Sequence, residues 1–176
     1  MNIKKNIAAI AGAAIATATL TMGTAAAEVR SFADAKHDVE GGADIWRTTV
    51  THQKRVKVTV KFDDIVPDFM SDAGASIYVD TDKATKGPDF VLRTGLFDGT
   101  DYAMFRTDGW AAVGEPLTCF HQVSLDYDLD LAKVVFGHGC LGDPDAVRVA
   151  VKSANGGSAV DWLGGRRHLT AWVVQG

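Results

Sequence analysis

The clearest pattern in the chain is a strict alternation of apolar and polar residues. Every second residue from Val56 to Phe62 is valine or phenylalanine, and the residues between them are lysine or threonine. Because successive side chains of a strand point to opposite faces, this pattern predicts a strand with one face on a hydrophobic core. A similar pattern over Ile45–Val50, just ahead of His52-Gln53-Lys54, predicts an antiparallel hairpin.

The segment from Ser76 to Thr107 continues the pattern in three short apolar runs. These runs are Ile77–Val79, Phe90–Leu92 and Ala103–Phe105, and Gly, Pro and Asp residues separate them. Short apolar runs between turn residues are typical of antiparallel strands.

The C-terminal half predicts further strands and little helix. Four segments follow the strand pattern: Val123–Tyr127 and Leu131–Phe136, which should form a second hairpin, then Val147–Val151 and His168–Val174. Only Ala111–Gly114 and Asp161–Arg166 are compatible with a helical turn, and Glu28–Gly42 has no apolar periodicity. About eight to ten short strands predict an all-β fold, a single antiparallel β-sandwich of the jelly-roll or immunoglobulin-like type.

The first 27 residues predict a secretory signal peptide. Lys4 and Lys5 precede a small-residue apolar run from Ile7 to Leu20, and alanines end the segment at Ala27. This order of basic, apolar and small residues is that of a signal peptide, and the run is too short for a comfortable membrane span. We therefore expect cleavage of 1–27, a secreted β-sandwich domain over 28–176 and no membrane span after cleavage.

The charge of the chain argues against polyanionic partners. The formal net charge is −4, and loss of Lys4 and Lys5 with the signal peptide makes the remaining protein more acidic. Nucleic acids and anionic membranes attract clustered Lys and Arg. The one basic run, Lys54-Arg55-Val56-Lys57, fits the exposed face of a strand, so no nucleic-acid partner is expected.

The two cysteines predict one disulfide. Cys119 and Cys140 are an even pair in a protein expected to be exported, where disulfides form and persist. A metal site would need more ligands than His121 and His138 supply, and a redox pair would usually be closer in sequence. By closing a loop, the disulfide would stabilise the folded protein by about 3 kcal/mol in a chain-entropy treatment.

Several short segments resemble a known family. An acidic stretch with Asp34, Asp38 and Asp44 precedes a strand, Tyr78–Asp82 ends one, and Gly99–Tyr102 begins another. In order and approximate spacing, residues 34–104 resemble the β-sandwich of family-nine carbohydrate-binding modules and DOMON domains. The whole chain also resembles a group of small secreted bacterial proteins without an assigned activity. The resemblance implies a sandwich that binds sugar, haem or another ligand.

A haem site is not expected, and Ca²⁺ is the one cofactor that the residue pattern could accommodate. The cytochrome members of the DOMON group use Met and His as axial ligands, but no Met/His pair stands out in this chain. Asp80 and Asp82 share one side of a strand end, and Asp101 could join them, as could Asp34 and Asp38. Hard oxygen ligands suit Ca²⁺. The alternative is that Asp80 and Asp82 form an Asx-type turn with backbone N–H groups, without an ion.

Aromatic residues are the second set of candidates. Trp110, Trp162 and Tyr102 are the expected ligand-binding residues, because aromatic rings on loops can stack on a sugar ring. The alternative is that the two tryptophans close turns as hydrophobic plugs. Trp46 and Trp172 lie in strand patterns and are expected in the core.

No catalytic pattern appears in the sequence. The chain lacks a Gly-x-Ser-x-Gly elbow, a His-Glu-x-x-His motif and a Walker loop, and its five histidines are scattered singly. We therefore predict a non-catalytic binding module for carbohydrate or cell-wall material. A secreted protein-interaction or inhibitor module is the alternative, and a small hydrolase is a weaker one.

Overall fold

A computed structural model describes residues 28–39, 43–156 and 159–176. The predicted signal peptide, residues 1–27, lies outside the described residues. The described chain forms two antiparallel β-sheets, which confirms the predicted sandwich-like all-β fold. In this described part, no helix is long and apolar enough to cross a membrane.

The first sheet has five strands in the order β1-β2-β3-β9-β8. They are β1 (Glu28–Ala33), β2 (Ile45–His52), β3 (Arg55–Phe62), β8 (His121–Asp126) and β9 (Leu131–Gly137). Both predicted hairpins are present in it, since β2 pairs with β3 and β8 pairs with β9. The basic run beginning at Lys54 has the predicted position, because Arg55 and Lys57 are exposed while Val56 is buried.

The second sheet follows the order β11-β10-β4-β5-β6-β7, and a short strand, β12, pairs with β10. The strands are β4 (Ala73–Asp80), β5 (Phe90–Gly95), β6 (Tyr102–Asp108), β7 (Ala111–Val113), β10 (Ala146–Asn155), β11 (Ala159–Trp162) and β12 (Val173–Val174). The three strands predicted between Ser76 and Thr107 are neighbours in this sheet. Two short 3-10 turns, Phe69–Ser71 and His138–Leu141, complete the regular structure of the described residues.

The core lies between the two sheets and is built by alternation. The inward residues of β3, from Val56 to Phe62, are fully buried, and Ile77 and Val79 meet them from β4. Full burial of each such side chain contributes about 1.5–3 kcal/mol, so the period-two pattern stabilises both sheets. A second, smaller apolar cluster lies on the outer face of the second sheet, around Tyr78, Val91 and Ala150.

The disulfide closes the β8–β9 hairpin at its open end. Cys119 precedes β8, Cys140 lies in the 3-10 turn after β9, and their Cα atoms are 5.4 Å apart. The N–H of Gly137 also donates to the carbonyl of Phe120 at this end. The predicted pairing of the two cysteines is confirmed.

Three segments show what the sequence pattern left open. Glu28–Ala33 forms an edge strand although it lacks apolar alternation: its backbone pairs with β2, Ser31 Oγ shares a hydrogen bond with Thr49 Oγ1, and Phe32 packs against the core. Ala111–Val113, compatible with a helical turn, pairs with β6 instead. In the second segment compatible with a helical turn, Asp161 and Trp162 end β11.

The predicted closing strand from His168 is reduced to Val173–Val174. Positive φ angles at Gly164, Gly165 and Arg167 turn the preceding chain away from a strand. Thr170 then meets β10 with its side chain: its Oγ1 accepts from the N–H of Val149, where a paired strand would offer a carbonyl. The sheet is therefore completed there by a threonine hydroxyl.

Candidate functional site

Two of the predicted ligand-binding residues, Trp110 and Trp162, come together on the outer face of the second sheet. Their ring centroids are 5.6 Å apart, and the rings are inclined at 78°. Tyr78 lies beneath both of them, stacked on Trp162 at 5.8 Å and edge-on to Trp110 at 5.0 Å. These distances are those of attractive aromatic pairs. The three rings form a corner, which we call the aromatic wall.

The strand pattern places each ring of the aromatic wall. Tyr78 alternates with the inward residues Ile77 and Val79 on β4, so its side chain points outward. Trp162 ends β11 opposite Lys152 of β10, two residues along from Ala150, which pairs with Tyr78. Trp110 follows Gly109, whose φ of 57° turns the chain between β6 and β7.

A cavity of about 690 Å³ opens against the aromatic wall, and charged side chains contribute to the rest of its lining. The acidic residues are Asp34, Asp38 and Asp161, and the basic residues are Lys152, Arg166 and Arg167. The cavity therefore offers apolar ring faces together with hydrogen-bond acceptors and donors. Such a mixture is typical of sites for small polar ligands.

A glycine turn brings Arg166 and Arg167 to the cavity. The N–H of Gly165 donates to the carbonyl of Trp162, and the N–H of His168 donates to the carbonyl of Gly165. A Cβ at Gly164 would lie 3.1 Å from the imidazole of His168, and its φ of 66° also favours glycine. The turn brings the Arg167 guanidinium over the Trp110 ring, 5.9 Å from its centroid.

Three carboxylates cluster where Asp38 and Asp161 line the cavity. Asp38, Asp44 and Asp161 each place one oxygen within 4.8 Å of the others, and Asp44 and Asp161 are buried. Oδ2 of Asp161 accepts from the N–H of Ile45 at 2.7 Å, and Oδ1 accepts from the N–H of Trp162. Asp161 thus joins β11 to the start of β2. We call these three residues the carboxylate cluster.

Burial, with like charges nearby, raises the pKa values of two members of the carboxylate cluster. Burial raises the pKa of Asp161 to about 6, against the lowering effect of its two backbone hydrogen bonds, and the charges of Asp34 and Asp38 add to the rise. Burial also raises the pKa of Asp38, and the carboxylates of Asp44 and Asp34 add to the rise. Asp161 and Asp38 are therefore harder to ionise than exposed aspartates.

The residues predicted to bind Ca²⁺ are not gathered into a site. Asp80 is fully buried, and its Oδ2 accepts from Arg148 at 2.7 Å from Nε and 2.6 Å from Nη2. Its Oδ1 accepts from the N–H of Asp82, whose own Oδ1 accepts from the N–H of Ala84. The alternative interpretation, a turn with side chains bonded to backbone N–H groups, is the one that the structure shows.

Asp101 and Tyr102 lie at the other end of the sheet. Tyr102 pairs with Thr94, which in turn pairs with Ala75 of β4. Ala75 is five residues before Asp80, and five residues of a strand span about 17 Å. The exposed ring of Tyr102 contacts His121 of the first sheet and is not part of the aromatic wall. Neither residue reaches the cavity at Trp110 and Trp162.

The two tryptophans expected in the core are partly exposed instead. Lys36 and Lys61 lie over the Trp46 ring, with Nζ 3.9 Å and 5.4 Å from its centroid. The Arg148 guanidinium lies 4.7 Å from the centroid of Trp172. Cation–π contacts explain why these rings remain at the surface.

Another group with metal-binding atoms is Cys119, His121 and Cys140. Both sulfurs are in the disulfide, so they are not thiolate ligands. Nδ1 of His121 lies 2.8 Å from the carbonyl of Cys119 and fixes the imidazole locally. This group is therefore structural.

Sequence reasoning missed Tyr78, Asp44 and Asp161 as site residues. Tyr78 could have been found from alternation, because a tyrosine between two buried residues of a strand must point outward. Asp161 immediately precedes a predicted ligand-binding tryptophan, but nothing local shows that it meets Asp38 and Asp44. That contact depends on the packing of β11 beside β2, more than 110 residues away in sequence.

The fold and the cavity define an all-β sandwich with an aromatic and acidic site on one outer face. Comparison with protein-family models, with curated proteins and with solved structures finds no match to this chain. The resemblance to family-nine carbohydrate-binding modules and DOMON domains stays a prediction.

Proposed function

We propose that this protein is a non-catalytic binding module that holds a carbohydrate against the aromatic wall. The observation that carries the proposal is the corner formed by Trp110 and Trp162, both partly exposed, over the buried Tyr78. The apolar face of a sugar ring can stack on one indole while its edge contacts the other. A cavity of about 690 Å³ has room for a short oligosaccharide segment.

The polar sides of the cavity support the same ligand class. Sugar hydroxyl groups both donate and accept hydrogen bonds, and the cavity offers acceptors at Asp34 and Asp38 and donors at Arg166 and Arg167. Because the lining carries acidic and basic side chains in equal number, it favours a neutral polar ligand over one that carries a strong net charge.

We further propose that the protein acts outside the cell. The basic, apolar and small-residue order of segment 1–27 supports export. The Cys119–Cys140 bond adds support, because disulfides persist mainly in oxidising compartments. The resemblance to carbohydrate-binding modules leads to the same expectation.

Retention on insoluble polysaccharides tests the proposal. We expect the protein to be retained on at least one of cellulose, chitin, xylan and peptidoglycan. Trp162→Ala and Trp110→Ala should each weaken retention by about tenfold or more, because each removes a stacking surface. Thermal unfolding of every variant shows whether it is folded.

Trp172→Ala is the matched control. It removes a partly exposed tryptophan that lies under Arg148 and does not line the cavity, so retention should not change. Equal retention by Trp162→Ala, or no retention by the wild-type protein on any of the four, would overturn the carbohydrate proposal. Turnover of glycosides by the wild-type protein would overturn the non-catalytic one.

A further inference from the structure

The carboxylate cluster has a concentration of negative charge that its surroundings do not balance. Oxygens of Asp38, Asp44 and Asp161 lie within 4.8 Å of one another, and Asp44 and Asp161 are 2% and 4% exposed. Across the residues that the structure describes, none of the three makes an ion pair with Lys, Arg or His. Buried charges are normally paired or bound to a metal ion.

Among the residues that the structure describes, one buried oxygen of Asp44 has no hydrogen-bond partner. Its Oδ2 accepts from the N–H of His37 and from Nε1 of Trp46, both at 2.8 Å. Its Oδ1 is buried and accepts no hydrogen bond from the described part of the chain. Because an unsatisfied buried acceptor is costly, this oxygen points to a group that the described residues do not supply.

Asp161 is held in place with coordination capacity to spare. Each of its oxygens accepts one backbone N–H, and a carboxylate oxygen has a second lone pair for another partner. Asp34 lines the same cavity as Asp38 and Asp161, and its buried Oδ2 has no hydrogen-bond partner among the described residues.

We propose that Asp38, Asp44 and Asp161 bind a Ca²⁺ ion. The donors are carboxylate oxygens alone, which hard cations prefer, whereas Zn²⁺ sites usually contain His or Cys. The cluster opens to the cavity, so water can complete the six to eight ligands that Ca²⁺ takes in irregular geometry. Mg²⁺ demands a stricter octahedron and a shorter distance to its ligands.

The ion has a structural consequence that does not depend on the sugar proposal. Asp38 and Asp44 belong to the segment ahead of β2, while Asp161 belongs to β11 of the other sheet. A cation bound by all three ties the two sheets together at the edge of the cavity. We therefore expect Ca²⁺ to stabilise the whole domain.

Calcium titration of chelator-treated protein tests the inference. Calorimetry should show one Ca²⁺ per chain, and the midpoint of thermal unfolding should rise with Ca²⁺ and fall again with EDTA. Asp44→Asn should lower the affinity by at least about tenfold, because carboxylate charge sets Ca²⁺ affinity. Asp38→Asn, at an exposed position, is a second variant that should do the same without a folding defect.

Asp101→Asn is the matched control, since it removes an exposed acid at the far end of the sheet and should leave calcium binding unchanged. Tb³⁺ provides a local readout, because its emission on excitation of tryptophan requires a nearby indole, and Trp162 and Trp46 adjoin the cluster. The inference is overturned if no Ca²⁺ binds, if Mg²⁺ binds equally well, or if Asp44→Asn and Asp38→Asn bind Ca²⁺ like the wild-type protein.

Discussion

Two groups of aspartates in this protein have the same chemistry and opposite surroundings. Asp80 and Asp82 are two residues apart at a strand end. Both oxygens of Asp80 and Oδ1 of Asp82 accept hydrogen bonds, from Arg148 or from a backbone N–H. Asp38 and Asp44 lie ahead of β2 and Asp161 lies in β11; among the described residues the three make no ion pair, and Oδ1 of Asp44 has no hydrogen-bond partner. The described residues satisfy the carboxylates of the first group but not those of the second.

The difference teaches that a buried carboxylate must be judged by its partners. At Asp80 the guanidinium of Arg148 offsets the negative charge, although burial still raises the pKa of Asp80 above its usual value. In the carboxylate cluster the neighbours are other acids, and they raise the pKa of Asp161 further. Spacing along the chain does not distinguish these two situations.

The largest loss of stability is expected when the ion pair between Asp80 and Arg148 is broken. Arg148→Met leaves the fully buried Asp80 without its cation and should lower the free energy of unfolding by about 3–5 kcal/mol. Urea denaturation measures this loss. The double variant Asp80→Asn/Arg148→Met should recover part of it, whereas Arg47→Met, at an exposed position, should change little. A small loss in Arg148→Met would mean that Asp80 is protonated in the folded state.

A smaller effect of opposite sign on the free energy of unfolding is expected at the carboxylate cluster. In EDTA, Asp44→Asn should raise the free energy of unfolding by about 1–2 kcal/mol, since one charge is lost and the new amide can donate to Asp38. The side-chain oxygen can keep the bonds from His37 and Trp46. The same denaturation experiment, without and with Ca²⁺, measures both states. Destabilisation in EDTA would show that the carboxylates do not repel one another.

The smallest effect on stability is expected at His52, a buried group that is neither a carboxylate nor part of an ion pair among the described residues. His52 is fully buried, with Nδ1 3.1 Å from the carbonyl of Val173 and Nε2 3.1 Å from Nε2 of His138. Burial lowers the pKa of His52 below its usual value of 6.5. As pH falls through about 6.5, the unfolded chain therefore gains this proton before the folded one, and stability is lost.

The His52→Gln variant isolates that contribution. Between pH 7.5 and 5.5 the wild-type protein should lose about 1 kcal/mol more stability than His52→Gln. His168→Gln, at an exposed position, should keep the wild-type dependence on pH. Parallel curves for wild type and His52→Gln would show that His52 titrates alike in both states.

The sequence was sufficient where structure is local and repetitive. The alternation in β3 predicted both its buried face and its hairpin with β2, and the two cysteines predicted their own bond. Two ligand-binding candidates, Trp110 and Trp162, also proved to be neighbours. Edge strands such as β1 escaped prediction because backbone hydrogen bonds hold them without an apolar pattern.

The rest of the site could not be predicted because it depends on contacts between distant segments. Asp161 reaches the start of β2 only after β11 has paired with β10, and Asp80 meets Arg148 only after β4 has done so. The tryptophans in strand patterns were assigned to the core because the sequence does not show the lysines and arginines that cover them.

The position of the disulfide also affects how the chain responds to proteolysis. The bond between Cys119 and Cys140 encloses the whole β8–β9 hairpin, and Leu129 is 57% exposed at its tip. A protease that cut the backbone at this tip would leave two fragments joined through sulfur, with the six residue pairs between β8 and β9 still in place. The nicked protein would migrate as one species until a reductant was added.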